Sequence, residues 1–512
     1  MNGHMRRWAH LGVVLGFAVG MSGCSKLLEV ELPAQLGDDA LDDPSGAEAV
    51  VGTYIEHFEE ALDLMVWQFH GHEDGGEIYL ASPGTNAGDM TYSTDATGGP
   101  RSTVQLGTST GYEGWFLELS TSMRFARFLH DKLDKTWTVA QVPNRTKYLA
   151  FSSLYEGAAL ARLGESMCET AINNGPLLAP ADVLGQAETV LTRALTELAA
   201  VTGGDAALPY GIATSAKTMA YGLRAQERWM KGDLAGAAQD AALVPNNFVA
   251  YVTRDDNAAR NNKAYFAGTQ NRYAELYDVN DWWVKTVSNK NNPVTGQPWP
   301  AVIPFTGWTY LGILPNGRAV YDDGLPVRRT GAKVIAGALI DATAVADTRV
   351  PFFLGQVGGS GGSAARPIHR KYADGGTDIP LVNWKEMILI RAEAAGGQQA
   401  ITFVNQLRTV DGLPQVTYAN PADAKQIKYM LIEERRRALF LEGRYYPAKI
   451  KNVDILWFPR AQGQTPGAGR ALSGGVRFTM PNNEYLYNPT TNGDLNLRGT
   501  KCAQNERPVL TI

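Results

Sequence analysis

The sequence predicts a mostly α fold, a tetratricopeptide-like scaffold of helical hairpins that carries long irregular loops and few short strands. Three observations predict it. Apolar residues recur at helical spacing from Ala47 to about Val244. Between about Pro245 and Pro380 the chain turns to Asn, Gly, Pro, Thr and aromatic residues, with few long periodic runs. Helical periodicity then returns in three blocks, NWKEMILIRAEAA, ITFVNQLRTVDGL and ADAKQIKYMLIEERRRALFLEG, and lapses again from Lys451 to Ile512.

The chain opens with Arg6 and Arg7, followed by LGVVLGFAVGM, an apolar run too short to span a bilayer. Residues 1–23 therefore read as a signal peptide. Met21, Ser22 and Gly23 lead into Cys24 in an order that resembles the lipobox of bacterial lipoproteins. There a small residue before cysteine lets the peptidase cleave once the thiol is acylated, and a thiolate is the side-chain nucleophile best suited to that acylation. Cys24 is the candidate lipidation site; a further acyl chain on the new amino terminus would supply the two signals that stable anchoring takes. Residues 24–46, acidic and Pro-containing, are expected to be a tether. With Cys24 lipidated, Cys168 and Cys502 remain, an even pair that leaves a disulfide open.

Residues 47–250 form the expected N-terminal helical region. KYLAFSSLYEGAALARLGESMCE spaces Leu149, Leu154, Ala158 and Leu163 as a helix does, and Asp182 is the expected cap of the next helix, which ends by Gly203. Gly232 and Asp233 split the following stretch into two helices. Ala158, Ala161, Ala237 and Ala241 are the small residues expected at helix crossings, where each hairpin buries the face of the one before. A generic helical bundle would show the same pattern. Residues 251–380 form the expected loop-rich region, and loops of that length persist in compact domains mainly when they carry function. Residues 381–512 hold the C-terminal helices and tail.

Charge removes several classes of function. Lys plus Arg number 47 against 52 acids, a net charge of -5, so the basic excess that nucleic acid demands is missing. No phosphate loop, nucleophile elbow or dinucleotide fingerprint stands in a sensible context, so no enzymatic activity and no cofactor are expected. Asp322 and Asp323 are adjacent in a YDDG turn, and neighbouring acids there seldom face one substrate at a defined separation. His70, His72, Glu73, Asp74 and Glu77 in HGHEDGGE lack a third spaced His or Cys and lack a calcium-loop pattern, so this stretch reads as a polar loop, not a metal site.

The stretch IEERRRALFLEGR poses the sharpest question. Ile427, Leu431, Ala438 and Leu441 make an apolar stripe on a helix expected to stop at Gly443, and Glu434 falls within that stripe, where a carboxylate must be paired. Arg435, Arg436 and Arg437 point around the helix, to acids such as Glu433 or to the preceding helix. A polyphosphate site would want unpaired guanidiniums and a Gly-rich loop or helix start aimed at the anion. Neither is present, so Glu434, Arg435 and Glu442 are expected to form a structural ion network.

The order LVNWKEMILIRAEAA, AITFVNQLRTVDGLP, LIEERRRALFLEGR and MPNNEYLYNP is similar to the C-terminal signature of the SusD/RagB family of outer-membrane lipoproteins. The matching positions are Glu386, Glu393, Asn405, Arg408, Gly412 to Pro414, Glu434, Arg435, Leu439, Glu442, Gly443, Pro481, Glu484, Asn488 and Pro489. Upstream, Asp347, Thr348 and Arg349 look like the family's "DpR", and Lys371 and Tyr372 like its "KY" strand. Ala438 stands where the family has an acid, and Tyr445, Tyr446, Pro447, Ala448 and Lys449 replace its "R..DL" continuation, which thins the ion network.

The resemblance implies a lipid-anchored outer-membrane protein, facing the cell surface, that captures a nutrient and delivers it to a SusC-like TonB-dependent transporter. Capture of an oligosaccharide needs flat rings against sugar C–H faces with polar groups around them. Trp282, Trp283, Trp299, Trp308 and Tyr310 fall in the irregular middle region, and Trp67, Phe69 and Tyr79 in an expected earlier Gly-rich loop. Any one of these rings taken alone reads as core; their clustering in loops carries the binding reading, with Trp67, Tyr79, Trp282, Trp283, Trp299, Trp308 and Tyr310 as ligand-binding candidates. Trp115 is assigned to the core. Two other readings stay open, a lipid-anchored helical scaffold for envelope assembly and a secreted glycan hydrolase.

Overall fold

The structure, a computed structural model, describes residues 42–72, 76–77, 112–257, 260–265, 275–276, 312–313, 319–320, 348–349, 352–356, 365–413, 415–416, 420–452 and 475–503. The chain divides into two units, Met1–Ala47 and Glu48–Ile512. In the first, the Asp43 carboxylate accepts from the Ser45 N–H at 2.9 Å and starts the 3-10 turn Pro44–Gly46.

The second unit has a helical body, as the periodicity predicts. Helix α1 (Ala47–His72) packs on α2 (Tyr112–Lys135) and α3 (Arg145–Ser166): Ser122 Oγ donates to the Tyr54 carbonyl at 2.7 Å, and Tyr54 and Phe58 meet Tyr155 with ring centroids 5.4 and 5.3 Å apart. Helix α4 (Pro180–Ala199) packs back on α3, then α5 (Ala216–Lys231) on α4, and α6 (Leu234–Ala241) on α5. Each hairpin thus covers the exposed face of the previous one.

Local chemistry sets the helix ends. Ser215 caps α5 by accepting from the Thr218 N–H at 2.9 Å, and Gly232, at φ 92°, ends it in the left-handed conformation that costs glycine nothing. Asp233 caps α6 through the Gly236 N–H at 2.9 Å, so the split expected at Gly232 and Asp233 is where the chain breaks. Asp182 is not the cap of α4. Pro180, whose ring presets the helical φ, occupies the first turn, the cap is Ala179, and Asp182 sits inside that turn.

Helix α3 is the centre of the scaffold, buried on every side from Ala150 to Ser166. Ala158, Ala161, Ala237 and Ala241 are all buried, but the closest helix approach is made by glycines. A Cβ on Gly157 would lie 2.8 Å from Leu191 Cγ, and one on Gly164 would lie 2.7 Å from Leu184 Cγ. Two glycines and two leucines, each pair spaced seven apart, set the antiparallel register of α3 against α4.

Strands are short and paired in twos. Thr170–Ala171 (β1) pairs with Leu177–Leu178 (β2), and Val249–Val252 (β3) pairs antiparallel with Ile379–Asn383 (β4), Val252 opposite Ile379. The second pairing sets Val252 and Ile379, which flank residues 253–378 in the chain, side by side on the helical body as a stem. That stem is pinned to α1, since Arg254 Nη1 lies 3.2 Å from Asp63, Lys263 Nζ 2.7 Å from Glu60, and the Thr253 N–H donates to Glu59 at 2.8 Å. Asn383 closes β4 and caps α7 (Trp384–Ala395), which is followed by α8 (Gly397–Val410), α9 (Ala424–Ala438), α10 (Tyr445–Lys451) and α11 (Asn482–Tyr487). The tail returns to the end of α3: Cys168 is bonded to Cys502, Cys168 N–H donates to the Phe478 carbonyl at 2.6 Å, and Tyr485 Oη donates to Glu169.

Four sequence expectations about local structure need correction. Trp67 and Phe69 lie on helix α1, not in a loop. Phe69 is buried against Trp115, Tyr446 and Phe478, with centroids 6.3, 4.6 and 5.9 Å away, and this cluster extends the helix past the point where the following glycines suggest a loop. His70 and His72, expected in a polar loop, lie at the end of the same helix. Helix α9 ends at Ala438, a turn before Gly443, and Leu441 takes φ 56° so that its carbonyl accepts from Tyr372 Oη at 2.5 Å. Lys371 and Tyr372 lie in a bend just past the strand Ala365–His369, not in a strand themselves. Trp115 is fully buried, as expected.

Close α3/α4 contact makes a prediction. Gly164→Ala should lower the unfolding free energy by about 1–3 kcal/mol through overpacking. Gly185→Ala in α4, where a Cβ meets nothing within 4 Å, should raise it by up to about 1 kcal/mol through helix propensity. Urea denaturation of both variants reads the pair; a stabilised Gly164→Ala chain would contradict the register.

Candidate functional site

The charged stretch of α9 lies in the interior. Glu434 accepts from Arg349 Nη1 at 2.5 Å and from Arg408 Nη1 at 2.6 Å, all three side chains being almost fully buried. Arg435 Nη1 donates to Glu386 at 2.8 Å, and its guanidinium lies 4.1 Å from the centroid of the Trp229 ring. Glu442 accepts from Asn383 at 3.0 Å and from Lys371 at 2.8 Å. Arg436 and Arg437 are buried as well, and the side chain of Glu433 lies outside the described residues. The family-like positions thus meet one another: Arg349 and Arg408 converge on Glu434, and Lys371 reaches Glu442.

Glu386 extends the chain of charge across the molecule. Besides Arg435 it accepts from Arg444 Nε at 3.1 Å and from Gln226 Nε2 at 2.6 Å. Arg444 then forks onto Glu165 of α3, Nη1 at 2.8 Å and Nη2 at 3.1 Å, and Glu165 also accepts from Arg162 at 2.6 Å. Burial alone would raise the Glu165 carboxyl; Arg162 and Arg444 outweigh it and hold it down at about 2. The sequence reading missed Arg444 and Glu165 as partners because the pair lies 279 residues apart. No local pattern links them.

Glu227, one residue along α5 from Gln226, is fully buried with no hydrogen bond to either carboxylate oxygen. Lys231 Nζ stands 3.7 Å away, too far to offset burial, which pushes the carboxyl up to about 8. This group is therefore neutral over most of the physiological range.

Beside Trp229 the packing opens on a cleft of about 430 Å³ between the end of α5, the α7–α8 junction, α9 and the end of α10. Its charged lining is Glu393, Lys428, Arg435 and Lys451, with Ile427 and Leu431 among its apolar wall. The indole itself is sealed: Trp229 has no exposed surface and donates Nε1–H to Glu393 at 2.6 Å. It is a wall and offers no stacking face.

Of the ligand-binding candidates, Trp67 is placed on α1 with its side chain outside the described residues, and Tyr79, Trp282, Trp283, Trp299, Trp308 and Tyr310 lie outside them altogether, as do Cys24, Glu73, Asp74, Asp322 and Asp323. Among the described residues no group of His, Cys, Asp and Glu could hold a metal ion, and no helix is long and apolar enough to cross a membrane.

Neither family models nor curated proteins give a match to the sequence. Solved structures do. The fold is that of SusD-like proteins. Surface glycan-binding protein A from Bacteroides thetaiotaomicron, in complex with laminarihexaose, aligns over 90% of this chain and 99% of its own at a TM-score of 0.53 and 12% identity. A SusD-like protein from Bacteroides fragilis aligns over 89% and 97% at 0.51 and 12%. A SusD homolog from Bacteroides thetaiotaomicron aligns over 89% and 98% at 0.51 and 12%. At such identity the likeness shows the fold alone.

Two predictions test these electrostatics. Arg444→Ala, which takes one buried partner from Glu165 and one from Glu386, should cost about 3–5 kcal/mol in chemical denaturation at pH 7; a loss under about 1 kcal/mol would mean that Arg162, Arg435 and Gln226 suffice for the two carboxylates. Glu227→Gln acts in the opposite sense. Because the folded carboxyl titrates near 8 against 4.5 for its ordinary value, the native chain loses stability as pH rises through that interval. The Gln variant should be more stable by about 2–3 kcal/mol at pH 7 and nearly unchanged at pH 4.5. Equal stability at both pH values would show that Glu227 keeps its charge.

Proposed function

We propose that this protein is a lipid-anchored outer-membrane receptor that captures an oligosaccharide at the cell surface and passes it to a SusC-like TonB-dependent transporter. The observation that carries the proposal is the fold, aligned over 90% of the chain with a glycan-binding protein that holds laminarihexaose. The sequence supplies the rest. Cys24 follows a basic and apolar leader and is the attachment point for lipid, and the acidic tether after it lets the helical body stand off the membrane.

The stem formed by β3 and β4 anchors both ends of the loop-rich segment at one place on the scaffold, and that segment carries Trp282, Trp283, Trp299, Trp308 and Tyr310. Rings in a stretch whose sequence reads as loop suit a binding surface that recognises sugar faces without turnover. No bond is made or broken in this role. Affinity comes from stacking and from amides and carboxylates around the rings.

The test is a binding screen of the full chain, extracted in mild detergent, against laminari-oligosaccharides and other neutral glycans, repeated with Trp282→Ala, Trp299→Ala and Trp308→Ala. Loss of one stacking ring should weaken binding by about tenfold or more. Unchanged affinity in all three variants would remove these rings from the site, and no binding to any glycan would leave the envelope-scaffold reading in its place.

A further inference from the structure

We infer that the cleft beside Trp229 is a second binding site, for a small acidic sugar whose carboxylate is held by Lys428, Arg435 and Lys451. The inference stands apart from the loop aromatics and needs none of them. Three independent features of the cleft converge on an anion.

The first is charge. Lys428, Arg435 and Lys451 line a concave space together with one carboxylate, Glu393, and Arg435 also holds Glu386 through Nη1 at 2.8 Å. Glu393 is already engaged by the Trp229 indole N–H at 2.6 Å and stands 3.8 Å from Arg435 Nη2, so its own charge is partly spent. Lys451 donates to the Trp229 carbonyl at 2.6 Å, which fixes its ammonium at the wall. Burial lowers the Lys451 ammonium and the neighbouring Arg435 and Lys428 act in the same direction, against Glu393. An incoming carboxylate would relieve that mutual repulsion.

The second is an unused donor. Arg435 is 3% exposed, yet its Nη2 makes no hydrogen bond in a residue that lines the cleft. Buried guanidinium N–H groups are costly to leave without an acceptor, and a carboxylate oxygen is the acceptor that fits a guanidinium fork.

The third is backbone. Gly396 and Gly397 line the cleft at the start of α8, a helix of 14 residues with no side-chain cap. Its first N–H groups and the positive end of its dipole favour an anion. A Cβ on Gly396 would meet nothing within 4 Å, so this approach is open.

Size and lining narrow the class. About 430 Å³ lies within the usual range for a small-molecule pocket. Ile427 and Leu431 can take the C–H face of a ring, while Asn452 and Glu393 can bond hydroxyls, so a uronic acid satisfies the whole lining where a simple inorganic anion would use only the cations.

The test is titration of the full chain in mild detergent with methyl glucuronide, with methyl glucoside as the neutral control, at low ionic strength by calorimetry. The glucuronide should bind with a Kd below about 1 mM and the glucoside should not. Lys428→Glu, on a half-buried helical position, should weaken the glucuronide at least about tenfold while neutral-glycan binding and thermal midpoint stay unchanged. Glu393→Gln should tighten it, a gain that a merely structural role would not produce. Equal binding of glucoside and glucuronide, no binding of either, or unchanged affinity in Lys428→Glu would overturn the site. None of these outcomes bears on the loop aromatics, which the neutral-glycan screen tests separately.

Discussion

Arg444 joins parts of the chain that nothing local would bring together. Its guanidinium forks onto Glu165, at the end of the central helix α3, and turns its Nε to Glu386 at the start of α7. Arg162, Gln226 and Arg435 complete an alternating row of charge and amide through the interior. Each ion here has lost its water, so each must keep all its partners at once. That requirement makes the relative position of the N-terminal hairpins and the C-terminal helices an all-or-none matter. Apolar packing alone would tolerate small slides between them; a buried fork of two hydrogen bonds would not.

The remaining contacts build outward from that frame. Gly157 and Gly164 let α4 approach α3 closely enough for Leu184 and Leu191 to fill the space a side chain would take. The β3–β4 pair and the Arg254 and Lys263 contacts to α1 then fix the stem of the long loop-rich segment. At the far end the Cys168–Cys502 bond and the bridge between Met167 and Phe478 tie the tail to α3. The cleft beside Trp229 arises where the charged row reaches the end of α5, so one guanidinium, Arg435, serves both the frame and the proposed anion site.

How much was legible in the sequence depended on range. The helices were legible because burial of a face imposes a spacing on apolar residues, and the break at Gly232 and Asp233 carries its own turn chemistry. The fate of IEERRRALFLEGR was legible in kind: a carboxylate in an apolar stripe must be paired. Its partners were not, since Arg349, Arg408 and Glu386 come from other segments. Phe69 misled in the opposite direction. The glycines after it suggest a loop, yet burial against Tyr446 and Phe478 keeps it on the helix, a tertiary effect that outweighs local propensity.

By itself the sequence determined the α-helical class, the position of most helices and the inward fate of the charged block, because each follows from spacing or composition within a short window. Only the tertiary structure decided which acid meets which arginine, that both ends of segment 253–378 meet at one strand pair, and that a cleft lined by Glu393, Lys428, Arg435 and Lys451 opens beside a sealed indole. Those facts depend on residues hundreds of positions apart sharing a few ångströms, and the free energy that selects them, desolvation against pairing, exists only once the chain has closed around them.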